Sequence, residues 1–182
     1  EKRIKTLTDE SGEVRIHQIT DAIEELVGLS TIEQLIVYFA GHGVNNRGES
    51  WLLSRAPANP NEAVNVEGSL LLARYCGISH VVCISDACRT AAEGIQAQHV
   101  TGSEIFPNDL GAEEKPVDAL FACARGKPSL EVRNPVESAG VFSALYTDEL
   151  IACLKGERPD MLEYLQEGDS SVAVARAWKL AD

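Results

Sequence analysis

Apolar positions along the chain form two kinds of run, continuous blocks and helically spaced stripes, and the two alternate. Leu35-Ile-Val-Tyr-Phe-Ala40 is a continuous block rich in β-branched and aromatic residues. It predicts a strand buried on both faces of a parallel sheet, ending in Gly41-His42-Gly43. Val81-Val-Cys-Ile-Ser85 repeats that pattern ahead of Asp86-Ala87-Cys88-Arg89, and residues 117–123 predict a further strand. Helical spacing joins Ile16, Ile19, Ile23, Leu26 and Val27, with Gly28 as a stop, so residues 14–28 are predicted to be a helix. Residues 66–76 read as helical. Phe142, Leu145, Tyr146, Leu150 and Cys153 share one helical face, and Val174, Trp178 and Ala181 predict a terminal helix. Residues 3–7 predict a short strand, Trp51-Leu52-Leu53 a strand or hairpin arm, and Asn59-Pro60-Asn61 a turn. Residues 92–116, broken by Gly94, Gly102, Pro107, Gly111 and Pro116, read as a long loop, and residues 124–138 as irregular. Strands alternating with helices imply an α/β fold with a mainly parallel central sheet flanked by helices.

Composition narrows the function classes. With 182 residues, 45% of them hydrophobic, the chain can form one compact domain with a buried core, which excludes a disordered tail. A net charge of −12 without a basic run argues against nucleic acid as a partner. The longest apolar runs fall far short of the ~20 residues that cross a bilayer, so no membrane partner is expected. Five widely spaced cysteines and no apolar leader segment fit a reducing, cytoplasmic setting. The four histidines are scattered, and no CxxC or HxxxH spacing occurs, so no metal and no cofactor are expected.

Candidate chemistry gathers where the two strongest strands end, because loops and helix termini converge beyond the carboxyl edge of a parallel sheet. One strand delivers His42 between two glycines, and the other delivers Cys88, 46 positions later. A thiol is only slightly ionised at neutral pH, so a nucleophilic cysteine needs a base beside it, and His42 is the candidate. Gly43 has no side chain, so its N–H can approach a substrate carbonyl and, with the Cys88 N–H, form an oxyanion hole. Cys76, Cys83, Cys123 and Cys153 read as small buried apolar residues.

Tyr38-Phe-Ala-Gly-His-Gly43 and Ser85-Asp-Ala-Cys-Arg89 resemble the paired motifs of the caspase family, whose cysteine signature follows its histidine by about 50 residues. Phe121-Ala-Cys-Ala124, Glu131 and Gly140-Val-Phe-Ser-Ala-Leu145 resemble the strand and helix that open the family's small subunit. The resemblance runs from about residue 3 to residue 154 and implies a three-layer caspase-haemoglobinase-like fold, of a bacterial or metacaspase-like type. Residues 1–156 would be the peptidase domain: 1–91 large-subunit-like, 92–116 a linker, 117–156 small-subunit-like, with 157–182 a helical extension. It implies a cysteine endopeptidase working through an acyl-enzyme, with Cys88 as nucleophile, His42 as general acid and base, and Gly43 and Cys88 N–H as the oxyanion hole. Asp86 stands two residues before the nucleophile, where animal caspases carry glutamine; Asp there is usual in metacaspases and their relatives, which cut after Arg or Lys. An acidic residue in that place can bind a basic P1 side chain and would repel an acidic one. Asp86 read as a residue alone could equally cap the helix expected after it. Ser85 either lines the same pocket or ends its strand, and Glu131 either meets the P1 side chain or is a solvated loop carboxylate.

Partners follow from the same likeness: a protein or peptide substrate, an activating domain or partner, and an N-terminal segment supplying the sheet's first central strand, to which nothing in this chain corresponds. The linker's one basic residue, Lys115, precedes Pro116, so self-cleavage there is not expected. Regulated proteolysis, as in cell death or antiphage defence, is the role the resemblance implies. The rival readings are a separase-like or CHAT-type protease with the same pair of residues, an inactive homologue acting as a scaffold, and a flavodoxin-like binding module. The last would need phosphate-binding glycine loops that the sequence lacks.

Overall fold

The computed structural model describes residues 2–10, 12–29, 31–46, 48–56, 58–91, 98–108, 113–129, 131–133, 142–167 and 170–175. Its centre is a five-stranded sheet of β1 (Gln34–Asn45), β2 (Glu49–Leu52), β3 (Ala63–Asn65), β4 (His80–Ala87) and β5 (Val117–Phe121), in the order β3-β2-β1-β4-β5. The two β-branched blocks are neighbours: β1 runs parallel to β4, with Leu35 opposite Val81 and Gly41 opposite Ala87, and β4 runs parallel to β5. β2 and β3 add antiparallel strands on the far side.

Alternation along the strands sends two sets of side chains to opposite faces. Leu35, Val37, Phe39, Val81, Cys83, Val117 and Phe121 face α1 (Ile16–Val27) and α2 (Val66–Ala73), whose Ile16, Ile19, Ile23, Val66 and Ala73 close the larger core. Ile84 and Leu120 face the other way, onto Leu150 of α3 (Leu145–Leu154), with Val82 and Tyr146 packed around them. The result is helix, sheet, helix, the three-layer α/β arrangement expected. Both helices of the larger core are capped by side chains. Asn65 accepts from the Gly68 N–H at the start of α2, and Glu62, from the turn before β3, accepts from the Ile16 N–H at the start of α1 (3.1 Å each).

Several expectations are corrected. β1 does not stop at Gly41 but continues through Asn45, because β2 folds back and pairs residues 42–45. Residues 3–7 form no strand; Ile4 and Leu7 are exposed, and Lys5 is tied to Glu25 on α1, with no strand beside them among the described residues to complete a ladder. Residues 124–138 were expected to be irregular, yet β6 (Glu131–Arg133) pairs with β7 (Phe142–Ala144), which takes Phe142 off the helical face. Residues 162–175 form a hairpin of β8 (Leu162–Glu167) and β9 (Ser170–Ala175) after a short 3-10 turn at Pro159–Met161, so Val174, expected on a terminal helix, lies on a strand. Val172 and Val174 recur at period two, and Gly168-Asp169 stands between the arms in sequence, so strand spacing governs Val174. Trp178 and Ala181 lie outside the described residues. The long loop is irregular over residues 100–108 but not loose: Ser103 exchanges backbone bonds with Ala63 and Asn65, and Ile105 and Phe106 are buried in the larger core.

Candidate active site

His42 and Cys88 come together through strand register. The last pair of the β1–β4 ladder, Gly41 with Ala87, puts His42 level with Cys88, and the Asn45 N–H bond to the Thr90 carbonyl (2.8 Å) keeps the same register beyond them. Neighbouring parallel strands lie about 4.8 Å apart, and paired residues point to the same face. His42 and Cys88 therefore share the α3-side face at the carboxyl edge; His42 is exposed and Cys88 half-buried. The other cysteines are ill suited to attack. Cys76, Cys83 and Cys153 are buried, and burial pushes the Cys83 thiol up to about 12. Cys123 is half-buried, raised first by desolvation, and donates its thiol proton to the Lys127 carbonyl (3.1 Å).

Gly43 is fixed by close approach. A Cβ built there would lie 2.4 Å from the Cys88 carbonyl oxygen and 3.1 Å from the Ala87 Cβ, so no larger residue fits between β1 and the cysteine loop. Its N–H points the same way as that of Asn45, two residues on, toward the cysteine loop.

Asp86 lies one strand repeat behind Cys88 on the same face and is 6% exposed. Its carboxylate is held by two hydroxyls, Ser129 Oγ donating to Oδ1 at 3.0 Å and Thr147 Oγ1 to Oδ2. Tyr38 Oη in turn lies 2.7 Å from Thr147 Oγ1. No helix begins at Cys88 among the described residues. Sequence reasoning missed Ser129, Thr147 and Tyr38; the legible sign was Tyr38, one polar hydroxyl inside an otherwise apolar strand. Ser85, by contrast, points to the opposite face, where it is 2% exposed and accepts from Trp51 Nε1 (2.8 Å). The structure does not bring it to Asp86. Glu131 opens β6, paired with Ala144; its side chain lies outside the described positions.

A cleft of about 570 Å³ opens between the end of β5 and α3, lined by Ala122, Cys123, Lys127, Pro128, Leu145, Tyr146 and Glu149. Burial, and then the Asp86 charge, push the Tyr146 hydroxyl up to about 12, so it stays a hydrogen-bond donor at neutral pH. Among the described residues no group of three acidic, histidine or cysteine side chains could hold a metal ion, and no helix is long and apolar enough to cross a membrane.

A family model described as the caspase domain matches residues 5–179, nearly the whole chain. The chain belongs to the caspase domain family. The matched stretch includes the residues of the β8–β9 hairpin. It is a cysteine-peptidase domain by family, with protein as its class of substrate. Neither the curated proteins nor the solved structures contain a match to this caspase domain.

Proposed function

We propose that the protein is an endopeptidase that cleaves after Arg or Lys with Cys88 and His42. The observation that carries this reading is the register that sets the two residues level on one face at the carboxyl edge of adjacent parallel strands. His42 takes the Cys88 proton, and the thiolate attacks the carbonyl carbon of the scissile bond. The oxyanion that forms is stabilised by the Gly43 and Cys88 N–H groups. Collapse breaks the C–N bond, His42 gives its proton to the leaving amine, and a thioester remains on Cys88. Water, deprotonated by His42, then releases the acid and restores the thiol. No step calls for a cofactor.

Asp86 supplies the preference for a basic P1 side chain. Two hydroxyl donors hold its buried carboxylate in one orientation, so a guanidinium or ammonium entering beside Cys88 meets an acceptor already aligned. Regulation by a partner fits the sheet: over residues 34–41 the outer edge of β1 pairs with no strand among the described residues, and Ile36 and Tyr38 beside it are 55% and 47% exposed. We read that edge as the seat of a further strand, supplied by another segment or by the activating partner, and regulated proteolysis as the role.

Fluorogenic peptides with Arg, Lys or Asp at P1 test the proposal on the wild type, Cys88→Ala and Asp86→Asn. The wild type is expected to cut after Arg or Lys, and Cys88→Ala not at all. Asp86→Asn should lose about 30-fold in kcat/KM on those peptides, since a hydrogen bond to a charged group is worth ~2 kcal/mol. Cutting after Asp but not Arg would overturn the role of Asp86, and turnover surviving in Cys88→Ala would overturn that of the dyad.

A further inference from the structure

Glu49, the first residue of β2, is a carboxylate at 1% exposure. Burying a charge is costly, and a buried ion pair is by itself weak evidence of stabilisation, because apolar residues of similar volume often do as well. The position of its partner is informative. Glu49 Oε2 accepts from Arg89 Nε at 2.7 Å, and Arg89 is the residue bonded to Cys88. Glu49 Oε1 has no hydrogen-bond partner among the described residues, so this carboxylate is not there to satisfy a wider network.

Arg89 is held from every other side as well. Its guanidinium lies 3.9 Å from the centre of the Phe121 ring at the end of β5, and its Nη1 donates to the Cys123 carbonyl (3.3 Å). Its main chain donates to the Lys127 carbonyl (3.0 Å) and accepts from the Gly126 N–H (2.8 Å). The β1–β2 ribbon, meanwhile, carries both His42, opposite Leu52, and Glu49, opposite Asn45. The Glu49–Arg89 pair is therefore a side-chain tie between the ribbon that holds the histidine and the loop that holds the cysteine, beside the backbone tie from Asn45 to Thr90.

We infer that Glu49 is a positioning residue: through Arg89 it fixes the peptide of Cys88 against the His42 ribbon, so that the thiol stays within reach of its base. The inference rests on Cys88 being the nucleophile. Burial, the largest influence on Glu49, pushes its carboxyl above the usual range against the pull of Arg89.

Iodoacetamide alkylation of each cysteine between pH 6 and 9, followed by mass spectrometry on the full chain, tests it without needing a substrate. Kinetics on the preferred peptide run alongside. The expected result is that Glu49→Leu and Arg89→Met each slow Cys88 alkylation at least tenfold and lower kcat by a similar factor with KM unchanged. Glu49→Gln, which keeps an acceptor for Arg89, should retain most of both. Cys76, Cys83 and Cys153 should stay unreactive throughout, reporting an intact core. Unchanged Cys88 reactivity in Glu49→Leu and Arg89→Met overturns the inference, as does alkylation of the three buried cysteines in both, which would make the pair a fold element only. If Cys88 of the wild type reacts no faster than the buried three, it is the nucleophile reading itself that fails.

Discussion

Gly43 illustrates how much one side-chain position constrains this site. The Cys88 carbonyl and the Ala87 Cβ occupy the volume a methyl group would need. Both belong to the end of β4 and the turn after it, which cannot withdraw without disturbing the register that levels His42 with Cys88. Gly43→Ala should therefore separate β1 from the cysteine loop. We expect a loss of ~1–3 kcal/mol in stability, as for other overpacked sites, and loss of most peptide cleavage. Thermal unfolding followed by circular dichroism, together with the peptide assay, checks both; full activity at unchanged melting temperature would contradict the close approach. Asp86 differs, since what meets it is two side-chain hydroxyls, of Ser129 and Thr147, and not a backbone carbonyl.

At the scale of an element, α1 depends on a residue far from it in sequence. Its N-terminal Ile16 N–H is satisfied by Glu62, which also meets Arg15 at 3.3 Å. The backbone N–H of Ile16, first, and Arg15, next, hold the Glu62 carboxyl below its ordinary value of 4.5. A carboxylate with a lowered folded pKa contributes stability that is complete above the unfolded value, near 4.5, and is lost as pH falls through the folded one. Glu62→Gln should cost ~1–2 kcal/mol at pH 7 and flatten the decline of stability below pH ~5. Melting temperatures from pH 7 to pH 3 measure this, and an unaltered acid slope in the variant would remove Glu62 from the account. The same contact explains why the sequence pattern located α1 to within about two residues yet could not reveal its cap: apolar spacing is local, and the capping carboxylate arrives from the turn before β3.

For the whole molecule, the open side of β1 is the feature with the widest consequence. The Asn45 N–H is directed to the β4 side, so strand alternation sends the N–H groups of Leu35, Val37, Phe39 and Gly41 into the ladder and those of Ile36, Tyr38 and Ala40 to the edge that no strand among the described residues covers. Hydrogen exchange on the isolated chain should find the second set exchanging at least a hundredfold faster than the first. Equal protection of the two sets would mean that the edge is already covered. An edge of this kind, flanked by exposed Ile36 and Tyr38, invites pairing with another strand. Residues 3–7, expected as a strand, join no sheet among the described residues, in keeping with the rule that a strand exists only with a partner ladder.

Two apolar strand blocks, the helical stripe of α1, and a histidine and a cysteine each placed just after a block were all legible in the amino-acid sequence, because local periodicity and residue chemistry determine them; the burial expected on both faces of the first block holds on one face only, since Ile36 and Tyr38 on the other are exposed. So was the family, through two motifs in the right order. What lay beyond the sequence depended on contacts between distant residues: that β1 runs on through His42 because β2 folds back on it, and that Ser129 and Thr147 converge on Asp86 while Ser85 turns to Trp51. Glu49 reads in sequence as one more charge in an acidic chain, and only the packing of β2 against the cysteine loop makes it a buried partner of Arg89. Propensity and spacing act over a few residues, whereas register, burial and the pairing of charges are fixed only when strands far apart in sequence are laid side by side.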